Sequence, residues 1–279
     1  TGGFVQMSTD LALWQLLVLT AVSFGVGILG GFVGLALGTI RLPAMLLIGM
    51  PAPIAGGTNI LVSALSAISG AIRHYREGRV DNRILLVMGV PACVGAFLGG
   101  FASEWTPEWI LLIGAGALVF WQGVEFLILI RNQRRSGGPH MFGADLEGAE
   151  GEFTPKRVSL EAGIGFGVGV LGGAVGLILG SIRLPAMIRI LRVDPRIAAG
   201  TNLFIGFFMG ALGWVGHVAV GEVDYVTLIA MGIAAMIGSN IGARLTGRVR
   251  LDTLILSMGA VLIVVGALLV WRGVEALAG

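Results

Sequence analysis

Charged side chains are scarce in this sequence. Only 12% of the 279 residues are Asp, Glu, Lys or Arg, while 56% are hydrophobic, and the mean hydropathy is +0.92. A soluble domain carries about 25% charged residues, which keep its surface in water. Half that share excludes a soluble protein and predicts an all-α polytopic protein of the cell (inner) membrane.

Cysteine and histidine are rarer still. Cys93 is the only cysteine, which excludes a disulfide framework and a multi-cysteine metal site. The formal net charge of +2 is too small for a nucleic-acid-binding surface. The sequence also has no evident nucleophile–base pair that would indicate an enzyme. We therefore expect no cofactor, no metal and no nucleic-acid partner.

Glycine, in contrast, is abundant. The 47 glycines lie inside long apolar runs and show no three-residue period, which excludes a collagen. In membrane helices, small residues let two backbones approach closely. The glycines therefore predict tight helix packing.

The chain contains two copies of one unit. Four blocks recur in the same order: 25–45 matches 167–187, 54–59 matches 197–202, 78–81 matches 221–224, and 121–125 matches 271–275. A polar, acidic stretch separates the copies. The sequence thus predicts an N-terminal transmembrane repeat at 1–130, a cytoplasmic linker at 131–158 and a C-terminal transmembrane repeat at 159–279.

Each repeat has five apolar segments, and crossing the hydrocarbon takes about 20 helical residues. We expect the segments near 11–30, 32–50, 54–73, 84–102 and 109–130, and near 160–172, 174–191, 198–217, 226–246 and 253–271. The first two of each repeat are interrupted by Gly-rich sequence and by Arg41-Leu42-Pro43 or Arg183-Leu184-Pro185. They are either full crossings or broken, partly re-entrant helices.

Lysine and arginine predict the topology, because short loops that carry them stay in the cytoplasm. Ten crossings with both termini outside place 15 of the 18 basic residues in the cytoplasm, in groups of four, five, three and three. Eight crossings in two parallel repeats would export Arg244, Arg248 and Arg250. The sequence therefore predicts inverted repeats of about five segments each.

Inverted repeats are a recurrent architecture of secondary transporters, whose substrate sites lie near the midplane where broken helices meet. Glycines permit sharp turns there, and prolines break or restart a helix. The exposed amides of a half-helix can hold an anion. Matching residues of both repeats fit this description: Gly34 and Gly176, Pro43 and Pro185.

Arg41 and Arg183 are the most informative residues, because an arginine at bilayer depth costs roughly 2.5–3.5 kcal/mol on insertion. One interpretation is structural: the side chain snorkels to the interface or binds freed backbone carbonyls. The other is an anion ligand at the midplane, since a guanidinium matches a pair of oxyanion oxygens. Thr39 and Ser181, two residues upstream, would add hydroxyl donors.

The third segment of each repeat opens on Gly-Thr-Asn and ends on a histidine. Thr58 and Asn59, with Thr201 and Asn202, are either ordinary N-caps or groups that face the substrate. His74 and His217 are either interfacial packing residues or proton-sensitive gate residues, because histidine titrates near neutrality.

In its paired Gly-rich, Pro-Ala-Met and Gly-Thr-Asn blocks, the chain resembles the TauE/SafE sulfite-exporter family of membrane permeases. The resemblance covers nearly the whole chain outside the linker. It implies transport of sulfite, thiosulfate or organosulfonates such as sulfoacetate, often outward. The site region that it implies consists of matching residues of the two repeats: Gly34, Thr39, Arg41, Pro43, Thr58 and Asn59, with Gly176, Ser181, Arg183, Pro185, Thr201 and Asn202. Many family members have no arginine at the positions of Arg41 and Arg183, which points to a small anion more firmly than to sulfite.

We therefore expect a secondary transporter that moves a small sulfur-containing anion by alternating access, with the anion bound between the repeats. The alternatives are an anion channel, or a transporter of a different small organic anion, on the same fold. The expected partners are the anion and membrane lipid. A coupling proton or ion and a homodimer are left open.

Overall fold

The structure is a computed structural model, which describes residues 11–33, 37–76, 78–136, 154–245 and 252–278. Within these ranges the regular elements are helices, and none is a strand. The N-terminal half contains α1 (Leu13–Val33), α2 (Gly38–Leu47), α3 (Ala52–Arg76), α4 (Asn82–Val87), α5 (Gly89–Ala102), a 3-10 turn (Ser103–Trp105) and α6 (Glu108–Ser136). The C-terminal half contains α7 (Pro155–Val175), α8 (Gly180–Pro185), a π turn (Ala186–Ile190), α9 (Pro195–Ala219), α10 (Tyr225–Leu245) and α11 (Asp252–Ala278).

The described helices are long and apolar enough for a multi-pass membrane protein. Seven segments qualify by length and composition: Leu13–Gly30, Asn82–Trp105, Glu108–Ile128, Pro155–Val175, Gly200–Ala219, Tyr225–Gly242 and Gly259–Ala278. Helix α3 is another 25-residue helix, whose apolar part is Ala52–Ile68. Large apolar side chains such as Leu17, Leu86 and Val264 are exposed, as a hydrocarbon environment favours. The expected all-α membrane fold is confirmed.

The second segment of each half is a short helix. Helix α2 has 10 residues, and α8 has six residues followed by the five-residue π turn. At 1.5 Å per residue, α2 is about 15 Å long, or half the hydrocarbon thickness. The segments expected near 32–50 and 174–191 therefore contain partial helices.

The two prolines of these short helices act differently. Pro185 is the last residue of α8, and the π turn begins directly after it. Pro43 lies inside α2, which continues to Leu47. The expected helix break at Pro43 is therefore wrong, since the proline removes only the backbone bond to the Thr39 carbonyl.

The halves interlock through parallel helix pairs. Helix α5 lies along α7, and α1 lies along α10, where Ser23 Oγ donates to the Met231 carbonyl at 2.8 Å. The contacts depend on glycine: a Cβ added at Gly169 would lie 2.2 Å from the Ala92 carbonyl oxygen, and one at Gly27 would lie 2.5 Å from that of Ala235. The expected close packing of glycine-rich helices is confirmed.

Two further helix pairs run antiparallel. In α6 and α11, Gly116 meets Gly266 while Gly123, further along α6, meets Gly259, earlier in α11. In α3 and α9, Ile60 meets Gly213 while the ring of Tyr75 lies 5.4 Å from that of Phe204. Helices α3 and α9 therefore pack against each other near their midpoints.

Helices occupy both ends of the stretch expected as a linker at 131–158. Helix α6 ends at Ser136 and α7 begins at Pro155. The remainder, 137–153, lies outside the described residues.

Candidate functional site

The two arginines of the repeated blocks are enclosed by the protein. Arg41 in α2 and Arg183 in α8 are both 0% exposed. Within the described part of the chain, neither forms a salt bridge. Snorkelling to the membrane surface is therefore wrong for both, because a snorkelling arginine keeps its charged group in water.

Each of the three guanidinium nitrogens of Arg183 has a partner. Its Nε donates to Asn202 Oδ1 at 2.8 Å, and its Nη2 donates to the Asn202 backbone carbonyl at 3.1 Å. Its Nη1 lies 3.2 Å from Met209 Sδ. Asn202 in turn donates through Nδ2 to the Gly180 carbonyl at 3.3 Å. Arg183 thus ties α8 to α9.

Arg41 occupies the equivalent place in the first half, but most of its donors are unpartnered. Its Nη2 donates to Ser63 Oγ at 3.3 Å. Its Nε and Nη1 find no partner among the described residues, and neither do the buried Thr39 Oγ1 and Asn59 Oδ1. The Nε-to-Oδ1 bond that joins Arg183 to Asn202 is therefore not made between Arg41 and Asn59.

The two repeats differ in sequence at two positions near these arginines. Ser63 aligns with Gly206, and Ser66 aligns with Met209. Asn59, Ser63 and Ser66 form a buried polar stripe on α3, with the four-residue and three-residue spacing of one helix face. On α9, a Cβ added at Gly206 would lie 3.4 Å from Arg183 Nη2, so the glycine makes room for that guanidinium.

The arrangement around Arg41 is suited to binding an anion. A buried N–H without a partner costs about 1–3 kcal/mol, and more when the group is charged. An oxyanion would accept from the Arg41 Nε and Nη1. Ser63, four residues beyond Asn59 in the sequence, is close to the midpoint of α3, so the cation lies deep between the helix ends.

Asn59 connects this region to the second half. Its Nδ2 donates to the Gly176 carbonyl at 2.9 Å. Gly176 caps α7 in the left-handed conformation, with φ of 74°. Its repeat mate Gly34 lies outside the described residues, as do the side chains of Ser181 and Pro185.

Thr58 and Thr201 lie inside helices and bind loops of the opposite half. Thr58 Oγ1 accepts from the Asp224 N–H at 3.1 Å, and Thr201 Oγ1 accepts from the Asp81 N–H at 2.9 Å. The N-cap interpretation is wrong for Thr58, Asn59, Thr201 and Asn202, because α3 begins at Ala52 and α9 at Pro195. The two reciprocal bonds lie in the second turns of α3 and α9 and hold the halves together.

His217 belongs to a buried polar cluster. Its Nδ1 lies 2.8 Å from Glu222 Oε2, and its Nε2 lies 2.8 Å from the Gly173 carbonyl oxygen. Ser103 from the first half also donates to Glu222 Oε2, and its Oγ lies 3.2 Å from His217 Nδ1. His74, the repeat mate, lies near the end of α3 and is half-buried. The structure therefore places the two histidines at the ends of two antiparallel helices.

An ionic cluster joins the halves near the starts of α4 and α7. Glu161 is fully buried and binds Arg83 Nη2 at 3.2 Å and Arg157 Nε at 2.9 Å. Arg157 also donates to the Leu191 carbonyl at 2.9 Å. This cluster lies at the end of the bundle where α9 begins.

Sequence reasoning missed Ser63, Ser103, Glu161 and Glu222. Ser63 could have been found, because it stands where the second repeat has glycine. Glu161 and Glu222 are acidic residues at positions whose repeat mates are Leu19 and Arg79. Positions at which the two repeats carry different residues therefore also indicate Glu161 and Glu222. Among the described residues, no group of three or more His, Cys, Asp or Glu side chains could hold a metal ion.

Comparisons with known proteins find one matching family and several similar membrane transporter proteins. The model of the sulfite exporter TauE/SafE family matches residues 19–269. The probable membrane transporter protein YunE of Bacillus subtilis is 26% identical over 281 residues, covering 92% of this chain and 98% of that protein. The probable membrane transporter protein YdhB of the same organism is 30% identical over 234 residues, covering 82% and 90%. A probable membrane transporter protein of Xylella fastidiosa is 25% identical over 257 residues, covering 90% and 92%. No solved structure gave a significant match to the chain.

Proposed function

The chain belongs to the TauE/SafE sulfite exporter family, and from this premise we propose that it is a secondary transporter of a small sulfur-containing anion, such as sulfite, thiosulfate or an organosulfonate. The observation that carries the proposal is Arg41, a fully buried cation whose Nε and Nη1 are unpartnered among the described residues. The anion binds at this guanidinium, and Arg183 serves mainly to join α8 to α9.

The chemistry of Arg41 favours an oxyanion. Arginine presents its N–H groups as a planar fork, which two oxygens of a sulfite, thiosulfate or sulfonate group match. Thr39 adds a hydroxyl donor, and Ser63 holds the remaining Nη2. A buried cation without a carboxylate partner is costly, so an anion bound there compensates the charge that the fold encloses.

We further propose that the two halves are inverted repeats. If the two halves are exchanged, α1 takes the place of α7 and α10 takes the place of α5, so the α1–α10 pair becomes the α7–α5 pair. The α3–α9 and α6–α11 pairs each exchange their own two members and stay the same pairs. The last two pairs are antiparallel, which supports an exchange axis in the membrane plane. With both termini outside, the Arg83–Glu161–Arg157 cluster is cytoplasmic and the His217–Glu222–Ser103 cluster faces outward, in the inner membrane of the cell.

In alternating access, the contacts between the halves would break at one end of the bundle while those at the other end stay intact. Arg41 is enclosed, and contacts between the halves lie toward both ends: Thr58 with Asp224 at one end, and Thr201 with Asp81 and Arg83 with Glu161 at the other. Opening either end while the other stays closed would expose the anion to one side.

Cysteine labelling tests the topology. In a Cys93→Ala background, single cysteines at Gly78 and Gly221 occupy equivalent turns of the two halves, and both positions have positive φ with open space around them. We expect a membrane-impermeant maleimide to label Gly221→Cys from outside intact cells and Gly78→Cys only after permeabilisation. Labelling of both from the same side would contradict inverted repeats.

Flux in proteoliposomes tests the function. We expect the purified protein to move labelled thiosulfate, sulfite or sulfoacetate, with phosphate as the comparison anion and protein-free vesicles as the control. A secondary transporter should also show counterflow, because unlabelled anion on the far side returns the binding site to the labelled side. Flux without counterflow stimulation would indicate an anion channel, and no flux of any sulfur anion would contradict the proposed substrate class.

A further inference from the structure

The cluster of His217, Glu222 and Ser103 requires a proton between two of its side chains. The Gly173 carbonyl can only accept, so His217 Nε2 carries a hydrogen toward it. The 2.8 Å contact between His217 Nδ1 and Glu222 Oε2 then needs one more proton between two potential acceptors. That proton either makes an imidazolium beside a carboxylate or a neutral imidazole beside a carboxylic acid.

Loss of this proton would break the contact. A neutral imidazole lone pair would then face a carboxylate in a buried place, where an unpaired charge is strongly disfavoured. The charged and titratable groups around His217 are few. Glu222 contacts it, Asp224 lies two residues further along, and Glu104 is exposed beside Ser103. Helices α3, α5 and α7 contribute Gly57, Gly100 and the Gly173 backbone.

The cluster is packed directly on α3, the helix whose Ser63 contacts Arg41 of the candidate anion site. A Cβ added at Gly57 would lie 2.1 Å from the Glu222 carbonyl oxygen and 2.8 Å from the His217 Cβ. The next residue, Thr58, accepts the Asp224 N–H, and Asn59 and Ser63 follow on α3. Movement of the 220–224 turn on losing the proton would therefore act on α3 at Thr58, five residues before the Ser63 that contacts Arg41.

Only one half of the chain has this acid. Gly200 packs on the Arg79 carbonyl and the His74 Cβ as Gly57 packs on Glu222 and His217. The residue at the position of Glu222 is Arg79, which carries a guanidinium in place of a carboxyl group. The backbone arrangement is thus duplicated, while a glutamate stands at this position only in the second repeat.

We propose that His217 and Glu222 form the binding site of the coupling proton, and that the protein moves one proton together with each anion in the same direction. The inference rests on the proposed transport function. In the enclosed state, an anion neutralises Arg41 and a proton neutralises the His217–Glu222 pair, so both buried sites lose their net charge only when both are filled.

Simultaneous measurement of anion and proton movement tests the proposal. Proteoliposomes containing the full-length protein and lumenal pyranine receive external labelled thiosulfate. We expect thiosulfate entry to acidify the lumen. With the membrane potential held at zero by valinomycin and equal potassium on both sides, an inwardly directed proton gradient of one pH unit should raise thiosulfate accumulation about tenfold for one proton per anion. If this wild-type protein moves thiosulfate without any proton, the coupling is refuted while the transport function stands; if no anion moves, the transport function itself fails.

Paired variants locate the proton. We expect His217→Gln and Glu222→Gln to keep thiosulfate exchange between equal concentrations but to lose lumen acidification and pH-driven accumulation. His74→Gln, at the equivalent position of the first half, should keep both. Retained acidification in His217→Gln and Glu222→Gln would overturn the assignment. Loss of exchange in both would also overturn it, because the pair would then serve the fold and not the coupling.

Discussion

Replacing Arg41 by methionine is expected to abolish anion transport without lowering thermal stability, whereas the same replacement of Arg183 is expected to lower stability. The two arginines occupy equivalent positions of a repeated sequence and are equally buried. They differ in their partners, so one substitution made at both positions separates binding from structure.

The expected sizes follow from the hydrogen bonds. Charge-assisted bonds contribute about 1.5–3 kcal/mol each, so losing the two bonds from Arg41 Nε and Nη1 should weaken anion binding roughly 100-fold or more. Arg41→Met removes a buried charge and leaves one serine hydroxyl, Ser63, to find another partner. Arg183→Met leaves Asn202 Oδ1 without its donor, which costs about 1–3 kcal/mol of stability.

Flux in proteoliposomes checks the expected effects on transport, and thermal midpoints in detergent check the expected effects on stability. Arg41→Lys is the matched variant, because lysine keeps the charge but cannot form the planar fork; we expect it to retain part of the flux. Normal flux in Arg41→Met, together with lost flux in a stable Arg183→Met, would assign the anion to the second half instead.

Replacing Gly176 by alanine is expected to prevent folding. The residue has a φ of 74°, and its added Cβ would lie 2.1–2.3 Å from three backbone atoms of Gly56. Backbone atoms cannot move aside as a flexible side chain can, so α3 and α7 would have to separate. This would also pull Asn59 away from the Gly176 carbonyl. We expect a loss of about 4 kcal/mol or more, at the upper end for single substitutions.

Two other glycines serve as controls. Gly49 also has a positive φ, of 99°, but nothing lies within 4 Å of its added Cβ, so Gly49→Ala should cost only about 1–2 kcal/mol. Gly163 lies inside α7 with open space around it, so Gly163→Ala should stabilise by about 0.5–1 kcal/mol. The yield of monodisperse protein and its thermal midpoint measure all three. Wild-type yield and midpoint for Gly176→Ala would contradict the observed packing.

Features that depend on composition and local pattern could be predicted from the sequence. Apolar runs of sufficient length gave the long helices, and the Arg-Leu-Pro interruptions marked the two short ones, α2 and α8. Helix starts were harder, because hydropathy does not distinguish the first turn of a helix from an apolar loop. The segments expected near 54–73 and 198–217 therefore start later than the helices α3 and α9 themselves. This late start makes Thr58 and Thr201 resemble N-caps.

The difference between Arg41 and Arg183 depends on packing and was not evident in the repeated motif. Both stand in the same Arg-Leu-Pro motif, so local sequence treats them alike. Their partners lie 19 to 26 residues away on the next long helix, where Ser63 replaces Gly206 and Ser66 replaces Met209. The bonds of Thr58 to Asp224 and of Thr201 to Asp81 span 166 and 120 residues, beyond the reach of any local pattern.

The pairing of α1 with α10 has a consequence for biosynthesis. Ser23 and Met231, which share a hydrogen bond in this pair, are 208 residues apart. The ribosome adds about 5–20 residues per second, so α1 emerges roughly 10–40 seconds before the helix on which its glycines pack. During that interval α1 presents its glycine face to lipid or to the insertion machinery. The last two helices to be made therefore complete the packing of the first half, and premature termination of synthesis before α10 would leave α1 without its principal neighbour.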